Sequence, residues 1–103
     1  MKVSPKKQLN KLTQGKSYLV IGIEADSFRI IDETGKPYLY DPDSFNIIDP
    51  KEPEFWESEI GEDGERYSYP KEWVQPGFFE DYFENVPSAK KAFIEVLSRK
   101  YAS

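Results

Sequence analysis

Carboxylates are the groups in this sequence numerous enough to do chemistry: 19 Asp and Glu in 103 residues, with no histidine and no cysteine. Acid–base work would fall to a carboxylate pair helped by lysine or tyrosine, since imidazole bases, thiol nucleophiles and the commonest zinc ligands are missing. With so many acids some pair always looks suitable, so abundance does not signal catalysis. No glycine-rich phosphate loop, nucleophile elbow or metal-ligand spacing occurs. Glu62-Asp63-Gly64-Glu65 has calcium binding as its functional reading, but such a loop needs ligands at alternating positions over about twelve residues, ending in glutamate. Only a fragment of that pattern is present, and Asp-Gly between alternating residues is instead a hairpin turn. The expectation is a non-catalytic protein with no metal and no cofactor.

The acids are placed as a binding surface would place them. From Asp49 to Glu84 twelve carboxylates stand against Lys51, Arg66 and Lys71, a net of −9. Trp56, Trp73, Phe78, Phe79, Tyr82 and Phe83 lie among them, and aromatic anchors rimmed by acids suit a basic protein partner. The expected contact consists of Trp56, Glu59, Phe79, Glu80, Asp81, Phe83 and Glu84. Of the pairs Phe78/Tyr82 and Phe79/Phe83, one should pack inward and the other remain for the partner. An alternative is a peptide groove built from Tyr38, Tyr40, Trp56 and Tyr67; a further one is an assembly role. Residues 1–16 hold five lysines and no acid, so the net −5 of the chain leaves −10 on the rest. A body of that sign repels phosphate and anionic lipid, which argues against nucleic acid or membrane as partner. With no apolar run of membrane-spanning length, a soluble cytoplasmic protein, monomeric or a weak dimer, is expected.

The elements that must position these residues are short. Residues 1–15 show no periodicity and read as a flexible basic leader, and residues 16–103 as one domain. Tyr18 to Ile23 is apolar on both faces and should be a central strand, with Leu19, Ile21 and Ile23 sharing one face and Gly22 marking a bend or bulge. Phe28 to Ile31, Pro37 to Tyr40 and Phe45 to Ile48 follow, the first two joined by a turn at Thr34-Gly35-Lys36 and the last two by a 3₁₀ turn over Asp41 to Ser44. These four strands predict an antiparallel meander over residues 16–49. A hairpin over 54–69, a short helix from Phe78 and a helix over 88–101 complete the chain. Ala89, Ala92, Phe93, Val96, Leu97 and Tyr101 recur at helical spacing and should cover the central strand.

The wording Leu12-Thr13-x-Gly15-Lys16-x-Tyr18-x-Val20, then Phe28-Arg29-Ile30-x-Asp32-Glu33-x-Gly35 and Tyr38-Leu39-Tyr40, resembles a group of small acidic uncharacterised bacterial proteins with an SH3-like barrel. The likeness covers about residues 12–49 and again 53–84. It implies a mainly β (α+β) fold, a small antiparallel SH3-like barrel with an added hairpin and a C-terminal helix. Because some of that group are associated with toxin immunity, it also implies an inhibitor that binds a basic toxin. The acidic loop and tryptophan pair of signalling SH3 domains are not at their usual places, which argues against proline-peptide binding.

Overall fold

A computed structural model describes residues 1–101 and makes the strand Tyr18–Glu24 the hub of a seven-stranded antiparallel sheet. In chain order the strands are β1 (Lys2–Pro5), β2 (Tyr18–Glu24), β3 (Ser27–Ile31), β4 (Pro37–Tyr40), β5 (Phe45–Asp49), β6 (Trp56–Ile60) and β7 (Arg66–Pro70). Two helices follow, α1 (Phe78–Phe83) and α2 (Pro87–Val96), and Leu97–Tyr101 continues α2 as a wider π turn. β2 pairs with β3, with β1 through Tyr18 and Leu19, and with β7 through Ile23.

The first fifteen residues are not a flexible leader. Val3 is wholly buried and β1 pairs on one side with β2 and on the other with β5. Leu12 is equally buried, and the loop between is tied down at Thr13, whose N–H donates to the Tyr18 hydroxyl at 2.8 Å. A four-residue strand with one large apolar side chain leaves no periodic trace, while Lys2, Lys6, Lys7 and Lys11 point their charges to solvent.

The predicted four-strand meander is cut to three, β2-β3-β4. Asp41 caps the 3₁₀ turn Pro42–Ser44 by accepting from the Asp43 N–H, and the turn sends β5 away from β4 to lie on β1. The order is therefore β4-β3-β2-β1-β5, with the β6–β7 hairpin attached to β2. Among the described residues β4 pairs only with β3, β5 only with β1 and β6 only with β7, so the sheet is open and the expected closed barrel is not formed.

Two cores result. Val3, Leu12, Tyr18, Val20, Ile23, Phe28, Ile30, Phe45 and Trp56 pack on one face; Ile21, Tyr69, Trp73, Phe79, Phe93 and Val96 pack on the other, beneath the helices. β2 is covered on both sides as its sequence requires, but its residues are shared out differently. A bulge between Val20 and Gly22 shifts the register with β3. A one-residue insertion exchanges the faces of all that follows, so Ile23 joins Tyr18 and Val20 while Leu19 and Ile21 face the helices. Tyr101 links the cores: its hydroxyl donates to the Ile21 carbonyl at 2.6 Å and accepts from the Trp56 indole at 2.9 Å.

Gly22 has a second reason to lack a side chain. A Cβ there would fall 2.1 Å from a ring carbon of the buried Tyr69. Gly22→Ala is expected to cost about 1–3 kcal/mol through overpacking, seen as a lower urea midpoint at an unchanged slope; an unaltered midpoint would mean that the Tyr69 ring has room to move.

Candidate functional site

The acidic turn does what its sequence foretold. Gly61 and Glu65 close the β6–β7 hairpin, the Gly61 N–H donating to the Glu65 carbonyl at 2.8 Å, and Gly64 takes the positive φ that the turn demands. Among the described residues no group of three or more carboxylates is placed to hold a metal ion. The hairpin instead sets Glu57 opposite Tyr69 and Glu59 opposite Tyr67, and alternation puts all four on one face of the ribbon.

That face is one wall of a cleft of about 290 Å³. The other wall is the segment from Trp73 to Glu80, held by two devices. Glu72 accepts from Lys100 at 3.0 Å and Arg99 at 2.7 Å, locking the turn that carries Trp73 to the end of the C-terminal helix. Burial would raise the Glu72 carboxyl, but the hydrogen bond and charge of Lys100 bring it below the usual carboxylate range. Gly77, at φ 80°, then bends the chain into α1, a conformation that an L side chain resists. Phe78 and Phe79 thereby meet the cleft, with Glu80 on its rim.

Beneath lies a buried cation, each of whose three nitrogens donates a hydrogen bond. Arg29 donates to the Tyr69 hydroxyl at 2.9 Å, the Pro37 carbonyl at 2.8 Å and Glu24 at 2.8 Å, and its guanidinium lies 3.9 Å from the centre of the Phe79 ring. Burial pushes the Tyr69 phenol above its ordinary value despite the neighbouring Arg29, so it stays protonated and donates to Glu24 at 3.0 Å. Arg29 thus neutralises Glu24. Glu57, Glu59 and Glu80 form no ion pair among the described residues, and the buried indole N–H of Trp73, in the cleft wall, has no acceptor.

The structure divides the residues expected to bind a partner. Glu59, Phe79 and Glu80 meet at the cleft. Trp56 does not: it is buried in the opposite core, hydrogen-bonded to Tyr101, and is no surface contact. Asp81 and Phe83 on α1, and Glu84 just after it, are exposed but do not line the cleft. The Phe79/Phe83 pair divides within itself, since Phe79 is buried while Phe83 is 37 % exposed and stacks on Tyr38 at 5.0 Å, whereas Phe78 and Tyr82 are both half-buried against the core beneath the helices. The alternative groove does not assemble either, because Tyr38 and Tyr40 line a separate hollow with Lys11, Tyr67 lines the acidic cleft and Trp56 is internal. Sequence reasoning passed over Glu24 and Glu57 as site residues. Glu57 was legible through its alternation with Glu59; Glu24 was not, being brought near only by the β2–β7 pairing.

Comparison with family models, curated proteins and solved structures finds no match. No helix among the described residues is long and apolar enough to cross a membrane.

Proposed function

We propose that this protein is a non-catalytic protein-binding module that takes a basic partner in the acidic, aromatic-floored cleft. The observation that carries the reading is the convergence of Glu57, Glu59 and Glu80, unpaired, over Tyr69, Phe78 and Phe79. Carboxylates without cations of their own attract and orient a positive partner, and the rings beneath supply apolar contact and π-faces for cationic side chains. The strand order β4-β3-β2-β1-β5 with a 3₁₀ turn before β5 supports kinship with SH3-like barrels. The resemblance to proteins associated with toxin immunity favours an inhibitor of a basic toxin within this class.

The test is charge reversal at the cleft. The variant Glu57→Lys/Glu59→Lys/Glu80→Lys alters exposed side chains only, so circular dichroism and melting should change little. Titrated with a short lysine-rich peptide and followed by tryptophan fluorescence, the wild type should bind in a salt-sensitive manner and the variant should lose the signal. Equal binding by both, or none by the wild type at low salt, would refute the reading.

A further inference from the structure

β6 is an open edge beside the cleft. It hydrogen-bonds to β7 without a bulge from Trp56↔Pro70 to Ile60↔Arg66 and, among the described residues, to no other strand. Glu57, Ser58, Glu59 and Ile60 are all exposed, Ile60 at 69 %. Such an edge presents backbone N–H and C=O groups to any incoming strand, and proteins blunt it with charged side chains, above all lysine, with proline or with a bulge. β6 has no lysine, proline or bulge, and negative charge alone guards it. Its only charges are Glu57 and Glu59, both on the cleft face. Two copies of this edge would set carboxylate against carboxylate, which is unfavourable, whereas a strand with cations directly opposite is favoured.

We propose that β6 takes an extended basic segment of the partner, which adds as an eighth strand and sets Lys or Arg side chains at alternate positions opposite Glu57 and Glu59. This rests on the binding function proposed for the cleft and specifies its mode. The side-chain period of a strand is two residues, so cations at every second position all turn toward the cleft, where Glu80 lies on the facing wall. Chemistry separates this occupant from a simple polycation. A polyamine would satisfy the carboxylates but leave the outward backbone groups of β6 without partners, whereas a polypeptide brings amide N–H and carbonyl groups as well as cations.

Three probes decide between these outcomes on the full chain, read by amide chemical shifts and hydrogen exchange. They are a peptide alternating lysine with threonine, the same peptide N-methylated on the backbone amides that face β6, and spermine. The unmodified peptide should slow exchange of the β6 amides that point away from β7, and N-methylation should weaken binding about tenfold or more by removing ladder hydrogen bonds. If the methylated peptide and spermine bind as tightly as the unmodified peptide, with shifts at Glu57, Glu59 and Glu80, strand addition is overturned while the acidic cleft stands. If no probe shifts any cleft residue at low salt, the cleft reading falls and strand addition falls with it.

Discussion

Trp73→Ala is expected to destabilise the protein by about 3–5 kcal/mol, the range for truncating a buried large aromatic side chain. Trp73 is 2 % exposed and stacks on Phe93 at 4.9 Å and on Tyr101 at 5.6 Å, while Tyr69 and Phe79 meet it edge to face. No hydrogen bond is lost with the side chain, because its indole N–H has no acceptor, so the whole cost is packing. Two companions make the reading specific. Trp73→Phe keeps most of the ring contact and removes the unsatisfied donor, and it should cost well under the alanine change. Phe93→Ala should cost about 3–5 kcal/mol alone and less once Trp73 is already alanine, since the two rings support each other and neighbours in contact are not additive. Urea titrations of the four proteins supply the cycle. A Trp73→Ala midpoint close to wild type would mean that the aromatic cluster under the helices is not a core.

Val3→Asp should do more damage than its place near the chain start suggests, about 4–5 kcal/mol or enough to unfold a marginal domain. Val3 has no exposed surface and packs with Tyr18, Val20 and Phe45. A carboxylate there would lose its hydration without a cation to replace it. The damage extends through the ladder, because β1 is the strand that joins β5 to β2; once it is displaced, β5 has no sheet to pair with. The flexible leader that composition implies would tolerate the same substitution silently, so circular dichroism and a melting curve decide between the two descriptions. Lys2→Glu, one residue away and exposed, should change little.

The elements legible in the chain are those whose signal is local. Asp63-Gly64 between alternating residues marks a hairpin, and β6–β7 forms there. The recurrence from Ala89 to Val96 marks a helix, and Ala89, Phe93 and Val96 are its buried residues. The apolar character of Tyr18 to Ile23 on both faces marks a doubly covered strand, and two cores cover it. Glu59, Phe79 and Glu80 were recognisable as acids and rings that a partner could use, and they share the cleft. In each case a few neighbouring residues carry enough backbone and side-chain preference to decide their own conformation.

What the chain alone left undecided depends on partners distant in sequence. Trp56 and Trp73 look alike among acids, yet Trp56 enters the core with Val3 and Phe45 while Trp73 enters the opposite core beneath the helices and backs the cleft wall; only the tertiary packing separates them. β1 exists because β2 and β5 each have an edge to fill, and nothing between Lys2 and Pro5 announces that demand. The bulge in β2 reassigns Ile23 to the opposite core, a change of face that no alternation count can register. The types of residue and their short-range order thus determined the strands from β2 onward, the hairpin, the helix and the acidic character of the surface. The tertiary structure decided which acids converge, because Glu24, Glu57 and Glu80 lie on three separate elements and meet only when β7 pairs with β2 and the segment after Trp73 folds across the hairpin.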